Sequence, residues 1–328
     1  MPAISEIPKS RVLEKPSDMR KKPYRKIIIF SPVGDMSQLD GFAKHVKELG
    51  IGKKADFLFI YRQGLAYKDY GLSAIHIAEK MPIGTSGCFF SGQAMSYQLG
   101  YEIVVVADLD AFLDSGKSFD GMISQATETS KGAVPLSRSP REQKPANGYF
   151  VVNQWGVFPR SVFEKAGFEI PYTRRGGEDW EFSNRLKHYG QVKIYRGGFV
   201  THEKVGMGIA EKLKNPKKYY PYLKGLMLAF SVAWQYDILS YLRFLAWFGY
   251  YNTFAIMHGD AALAKTVRLQ DFSEKDMREN KSGSPPIKNV LAAAAMIPFT
   301  MIEALMTIRR IKRVEIPSTA NAGKIVFP

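Results

Sequence analysis

The sequence predicts an α/β fold in which a doubly wound sheet is followed by a helical C-terminal region. Short runs rich in β-branched and aromatic residues alternate with segments whose apolar residues recur at helical spacing. One run, Ile103–Ala107, is apolar throughout, as expected for a strand that is covered on both faces of a mostly parallel sheet. The chain has 328 residues, 45% of them hydrophobic, which is enough to bury a large core.

The alternation of strands and helices begins at residue 24. Residues 1–23 are polar and contain four prolines, so we expect an N-terminal arm that is mobile or extended along the surface. Apolar runs predict strands at residues 26–30, 56–61, 103–107, 132–136, 149–152 and 192–195. Helical spacing predicts helices at residues 39–49, 72–79, 91–99, 121–129 and 160–166, and one that starts near residue 178. Residues 137–147 read either as a loop that closes over an anionic ligand or as a solvated linker.

The charge and the cysteine content limit the classes of function. A formal charge of +15 predicts an anionic partner, which could be nucleic acid, a membrane surface or a phosphorylated substrate. Cys88 is the only cysteine, so the chain cannot form an internal disulfide or a cysteine-based zinc cluster. The N-terminus lacks the apolar core of a secretory signal, so nothing in it suggests export.

Two carboxylates follow the apolar run that ends at Ala107. In open α/β sheets, ligands bind outside the carboxyl ends of the strands, so Asp108 and Asp110 could share a divalent cation and the phosphates it carries. They could equally cap a turn, because Asp is common in turns. His202 lies at a later strand end beside Glu203, where a neutral imidazole could complete the ligand shell of a metal.

The segment Gly-Gly-Glu-Asp-Trp-Glu at residues 176–181 marks a second group of functional candidates. The glycines free the backbone just before a helix, so that acidic residues of the first turn can face a cleft. Phe182 and Leu186 should pack inward, and Glu181 can pair with Arg185 one turn later. Acidic residues favour helix N-termini in any protein, but this preference does not explain the paired glycines or the arginines at 174 and 175.

The order of these features resembles the family 2 glycosyltransferases, which are inverting GT-A enzymes that use nucleotide-sugar donors. Four blocks match in order: residues 27–32, residues 84–110 with a Gly-rich approach to Asp-x-Asp, residues 176–181, and His202. The resemblance implies a GT-A type, Rossmann-like mixed sheet and a catalytic domain over residues 24–211. Two departures leave recognition of the donor base open. The first loop reads Ser-Pro-Val-Gly-Asp, and the second strand ends in Tyr-Arg-Gln without the usual Asp.

The resemblance also implies roles for individual residues. Asp179 would be the general base that takes the proton of the acceptor hydroxyl, and Glu178 and Trp180 would contact the acceptor. A Mn²⁺ or Mg²⁺ ion would be held by Asp108, Asp110 and His202. The residues implied in binding the nucleotide sugar are Pro32, Gly84, Ser91, Asp108, Asp110 and Arg138. A UDP-sugar is the first expectation for the donor and a GDP-sugar the second.

The region from residue 212 to residue 328 is apolar, helical in pattern and interrupted by basic clusters. Its longest uncharged runs are shorter than the roughly 18 to 20 residues that a membrane-spanning helix needs. We therefore expect attachment to an anionic membrane surface, with helices that cover one another or form an oligomer interface as the alternative. This predicts a peripheral enzyme on the cytoplasmic face of the cell membrane, with a glycan or lipid-linked acceptor.

Two other classes of function fit part of the sequence. A metal-dependent nucleotidyltransferase also uses carboxylates at strand ends, but it does not require the Gly-Gly-Glu-Asp helix start. A basic nucleic-acid-binding protein fits the charge, but we find no helix-turn-helix, zinc-finger or RNA-binding signature. We therefore expect no nucleic-acid partner.

Overall fold

The fold is described from a computed structural model, which covers residues 11–12, 25–80, 83–138, 152–171 and 178–202, and also 232–233, 235–237, 239, 302 and 319. The side chains of residues 11, 12, 138 and 180 lie outside this description. Within these ranges, strands and helices alternate along the chain, which confirms the α/β class.

The described strands share one sheet and are β1 (Arg11–Val12), β2 (Ile27–Val33), β3 (Asp56–Tyr61), β4 (Ala74–Ala78), β5 (Ile103–Ala107), β6 (Ala111–Leu113), β7 (Gly132–Arg138), β8 (Gln154–Pro159) and β9 (Val192–His202). The described α-helices are α1 (Met36–Glu48), α2 (Gly84–Gln98), α3 (Gly116–Thr129), α4 (Arg160–Ala166) and α5 (Glu178–His188). A short 3₁₀ helix, Ile51–Lys53, follows α1.

The sheet is mixed, with a parallel half and a half that contains antiparallel strands. The strand order is β1-β4-β3-β2-β5-β8-β7-β9-β6. The first five strands in this order pair in parallel, which is the Rossmann-like arrangement of a doubly wound sheet. β8 then pairs antiparallel with both β5 and β7, and β6 pairs antiparallel with β9. The predicted mixed, Rossmann-like sheet is confirmed.

Helices cover both faces of the sheet, which explains why its central strands are apolar throughout. In β2, Ile28 and Phe30 face the core under α2, α4 and α5, whereas Ile29 and Val33 face the core under α1 and α3. Every residue of β5 is buried. Because successive side chains of a strand point to opposite faces, such a strand needs apolar residues at every position.

Several predicted elements are confirmed, whereas one predicted helix, one predicted strand and one predicted loop need correction. β3, β5 and α4 have the predicted bounds, and α2 and α3 begin several residues earlier than expected.

The helix predicted at residues 72–79 is wrong, because Ile75 and Ile77 alternate on one face of β4 and pair with β3. The strand predicted at 149–152 is wrong at Val152, which lies in a turn before β8; residues 149–151 lie outside the described residues. Ser137 and Arg138 belong to β7 rather than to the predicted loop, whose other residues are not described.

A few residues of the predicted terminal regions are described. Arg11 and Val12 pair with β4 at one edge of the sheet. No helix within the described residues is long and apolar enough to cross a membrane. The apolar segment at 289–308 and the basic residues after it lie almost entirely outside the described part, so the predicted membrane attachment stays a prediction.

Candidate metal and active site

The two carboxylates of the Asp-x-Asp segment lie at the carboxyl edge of the parallel half of the sheet. β2 and β5 are neighbours, with Phe30 paired to Val106, so both strands end at the same edge. The Ser31 hydroxyl donates to the Ala107 carbonyl oxygen at 2.7 Å and joins the two strand ends. Asp108 and Asp110 then lie in the short turn between β5 and β6. This is the position at which open α/β sheets bind ligands.

His202 reaches this turn because β9 pairs with β6. The last residue of β9, His202, pairs with Ala111, directly beside Asp110. The His202 Nε2 atom lies 3.2 Å from the Asp110 Oδ1 atom. Asp108, Asp110 and His202 each offer a ligand atom, and the three atoms lie within 4.8 Å of one another. Two carboxylates and an imidazole, all partly open to solvent, fit a divalent cation such as Mn²⁺ or Mg²⁺.

The electrostatics of this turn favour the binding of a cation. Part of Asp108 is accessible to solvent, but protein atoms surround its carboxylate and leave it poorly hydrated. This loss of hydration is the main reason why the pKa of Asp108 is raised to about 7. The negative charges of Asp110 and Asp179 raise the pKa further, and His202 opposes them. A bound cation would reverse this effect by stabilising the carboxylate form.

The turn is held in place by residues at the start of β8, which sequence reasoning missed. The Asp108 N–H donates to the Asn153 carbonyl at 2.8 Å, and the Trp155 Nε1–H donates to the Ala111 carbonyl at 2.8 Å. Trp155 is fully buried, has a φ of +64°, and stacks on Phe42 at 5.6 Å between ring centroids. The β5–β8 register shifts at this point, as in a β-bulge, a feature that is common beside active sites.

The acidic first turn of α5 lies within electrostatic reach of the candidate metal site. The Asp179 charge raises the pKa of Asp108 and also that of Glu169, so Asp179 lies near both carboxyl groups. Asp179 is partly exposed, whereas Glu178 is only 5% exposed. The first turn of α5 therefore brings the accessible Asp179 carboxylate within electrostatic reach of Asp108 and Glu169, and the buried Glu178 carboxylate within reach of Glu169.

α5 is fixed by a buried ion pair that the sequence predicted. Glu181 and Arg185 are both 0% exposed, and the Arg185 Nε atom lies 2.9 Å from the Glu181 Oε1 atom. The Arg185 guanidinium also donates to the carbonyls of Ala166 and Phe168 at 2.6 and 2.7 Å. Phe182 is fully buried in the core, as is Leu186. The predicted Glu181–Arg185 pair and the inward packing of α5 are confirmed.

Glu169 is an acidic residue of this region that sequence reasoning missed. It is 0% exposed, and neither of its carboxyl oxygens makes a well-formed hydrogen bond within the described part of the chain. Its backbone N–H donates to the Gln93 Oε1 atom at 2.9 Å. Burial, followed by the charges of Glu178 and Asp179, raises the pKa of Glu169 well above the ordinary range. Glu169 is therefore a buried carboxyl group with a raised pKa beside the acidic turn of α5.

The other predicted site residues lie on several different elements. Pro32 lies near the end of β2, and Gly84 begins α2 with a φ of +75°. Arg138 is the last residue of β7, and its backbone pairs with Thr201, next to His202. Ser91 is 5% exposed in the middle of α2, about two turns from the helix start. Trp180 lies in the first turn of α5. The arginines at 174 and 175 lie outside the described residues.

Comparisons with known proteins give weak structural similarities and no sequence match. No family model and no curated protein matches the chain. S. aureus TarS 1–349 is 9% identical, with a TM-score of 0.46, over 87% of this chain and 91% of that chain. Mannosyltransferase PcManGT from Pyrobaculum calidifontis, in complex with GDP-Man and Mn²⁺, is 13% identical with a TM-score of 0.48. The similarity covers 90% of this chain and 93% of that chain. GalNAc-T7 with UDP, GalNAc and Mn²⁺ is 11% identical with a TM-score of 0.47. The similarity covers 89% of this chain and 58% of that chain. Similarity at this level assigns no function to the chain.

Proposed function

We propose that the protein is an inverting glycosyltransferase of the family 2 type, which transfers a sugar from a nucleotide-diphosphate sugar to a hydroxyl acceptor. The observation that carries the proposal is the group formed by Asp108, Asp110 and His202 at the carboxyl edge of the sheet, with Asp179 within electrostatic reach. A cation site and a separate, accessible carboxylate are the two parts that this reaction needs.

The donor site is proposed at the Asp-x-Asp turn. Bound by Asp108, Asp110 and His202, a Mn²⁺ or Mg²⁺ ion would neutralise the charge that develops on the leaving diphosphate. The two carboxylates orient the diphosphate end of the donor. The hydrogen bonds from the Asp108 N–H and the Trp155 Nε1–H to neighbouring carbonyls keep the turn rigid. UDP-sugars and GDP-sugars are the donor classes that we propose to test first.

Asp179 is proposed as the general base. In an inverting transfer, the acceptor oxygen attacks the anomeric carbon from the face opposite to the diphosphate and loses its proton to a nearby base. Asp179 is partly exposed, so a hydroxyl of the acceptor can reach it, and it lies in the first turn of a helix that is anchored by the buried Glu181–Arg185 pair. Glu178 and Trp180 flank it and are proposed to contact the acceptor.

We further propose a membrane-proximal acceptor and a peripheral location on the cytoplasmic face of the membrane. The support is the composition of residues 212–328, in which apolar segments are flanked by basic clusters. Such a surface would hold the enzyme close to a lipid-linked or membrane-proximal glycan.

The experiment is a screen of nucleotide sugars with two readouts, thermal stabilisation in the presence of Mn²⁺ and slow hydrolysis of the donor. A ligand present at 100 times its dissociation constant stabilises a protein by about 2.7 kcal/mol, which is several degrees in Tm. We expect one donor class to give this shift with the wild type and with Asp120→Asn, a control on α3 whose carboxylate pairs with Lys54. Asp110→Ala should lose both responses. No response of the wild type to any donor, or a response to nucleoside triphosphates alone, would contradict the proposal.

A further inference from the structure

A short segment from the C-terminal region packs against α5, the helix that carries the proposed base. Val232 and Ala233 are each 1% exposed. The Tyr236 hydroxyl donates to the Glu181 Oε1 atom at 3.1 Å and lies 3.4 Å from the Glu181 carbonyl oxygen. The Asp237 Oδ2 atom lies 3.6 Å from the His188 Nδ1 atom. The segment therefore contacts both the first turn and the last residue of α5.

The hydroxyl of Tyr236 completes a buried network of charges. Glu181 and Arg185 are both fully buried, and a buried ion pair is favourable only when its remaining hydrogen-bonding capacity is satisfied. Burial raises the pKa of Glu181, whereas Arg185 and the Tyr236 hydroxyl lower it. Two guanidinium nitrogens of Arg185 donate to the Ala166 and Phe168 carbonyls. Tyr236 supplies a donor to Glu181 from outside α5.

Aromatic contacts fix the position of Tyr236 on α5. Its ring centroid lies 5.3 Å from that of His188 and 6.0 Å from that of Tyr189. Glu181, Arg185 and His188 recur at helical spacing, so they share the side of α5 that this segment contacts. Phe182 and Leu186 pack into the sheet core. α5 is thus held between the core and the C-terminal segment of which residues 232, 233 and 235–237 are described.

We propose that Tyr236 is a positioning residue for sugar transfer, because it fixes the first turn of α5, and with it Asp179, through the Glu181 carboxylate. Asp179 lies two residues before Glu181 in the same turn, so a loosened first turn displaces the carboxylate of the base. The inference rests on the proposed function, since it assumes that Asp179 is the base. It places Tyr236 and the described residues next to it in the catalytic unit, in addition to any role of the C-terminal region at a membrane.

The test compares Tyr236→Phe with Tyr189→Phe in the full chain. Both variants keep the ring, but Tyr189 is 42% exposed and serves as the matched control within the same aromatic cluster. Because hydrogen bonds to charged groups are the stronger class, we expect kcat to fall about tenfold in Tyr236→Phe. The donor KM and the Mn²⁺ dissociation constant should stay within about twofold, since the contacts described for Tyr236 are to Glu181, His188 and Tyr189 on α5 and its end. Backbone amides of α5 should exchange hydrogen about tenfold faster in Tyr236→Phe only.

A double-mutant cycle with Glu181→Gln tests the route of the effect. If Tyr236 acts through Glu181, the fold-loss of kcat in the double variant will be smaller than the product of the fold-losses in the two single variants. The inference is overturned if Tyr236→Phe matches Tyr189→Phe in both kcat and amide exchange, or if only the donor KM changes. A wild type that transfers no sugar refutes the proposed function instead, and amide exchange in α5 then still decides whether Tyr236 holds the helix.

Discussion

The buried carboxylic acid of Glu169 should make the stability of the protein depend on pH in a way that one substitution removes. Glu169 is fully buried, and its pKa is raised by burial and then by the charges of Glu178 and Asp179. Glu169→Gln keeps the size of the side chain and cannot ionise. The substitution therefore isolates the free-energy cost of deprotonating this one group inside the folded protein.

The sign and the slope of the effect follow from proton linkage. An unfolded Glu loses its proton near pH 4.3, whereas folded Glu169 keeps it to a higher pH. Between these two pKa values the folded state binds more protons, so the wild type loses stability as pH rises. The stability of Glu169→Gln relative to the wild type should therefore increase by about 1.4 kcal/mol per pH unit above pH 4.3, and level off at the folded pKa of Glu169.

The assay is equilibrium unfolding in urea at half-unit steps from pH 4.5 to pH 8. The matched control is Glu164→Gln, because Glu164 is an exposed glutamate on α4, five residues before Glu169. The difference between Glu164→Gln and the wild type should stay flat across this range. A flat difference for Glu169→Gln as well would refute the view that Glu169 is a buried, neutral acid.

Three further predictions concern the site and the membrane. Asp179→Asn should bind donor and Mn²⁺ as the wild type does, while transfer falls by roughly 10² to 10⁴; unchanged transfer, measured by product formation, would exclude Asp179 as the base. Trp155→Phe removes the hydrogen bond to Ala111 and should weaken Mn²⁺ binding about tenfold by calorimetry, as expected when the support of a metal ligand is lost; an unchanged affinity would show that the bulge does not position the turn. Deleting residues 289–328 should weaken sedimentation with anionic liposomes, and undiminished binding would rule out that segment as the attachment site.

The parts of the fold that depend on local pattern could be predicted from the sequence. β3 and β5 are continuous apolar runs, and α4 has helical periodicity ended by Gly167. The Asp-x-Asp turn could be predicted as well, because it directly follows β5. The Glu181–Arg185 pair depends only on the spacing of a single helix.

Features that depend on distant parts of the chain could not be predicted in the same way. β8 begins with Gln154 and contains Gly156, and it is a strand because β5 and β7 pair with it on both sides. The positive φ of Trp155 has no local sequence signal, since non-glycine residues adopt it rarely. Glu169 follows a short helix, where an acidic residue is normally exposed. The Gln93 Oε1 atom, which accepts a hydrogen bond from the Glu169 backbone N–H, belongs to a residue 76 positions earlier in the chain.

Asp108, Asp110 and His202 are proposed to hold a divalent cation to which a nucleotide-sugar donor binds. Calorimetric titration of the wild type with the donor selected by the screen, with and without Mn²⁺, tests this most directly. We expect one donor site per chain in the presence of Mn²⁺, lost on chelation and in Asp110→Ala. Donor binding of equal affinity in Asp110→Ala, or after the metal is removed, would contradict the proposed metal-dependent donor site.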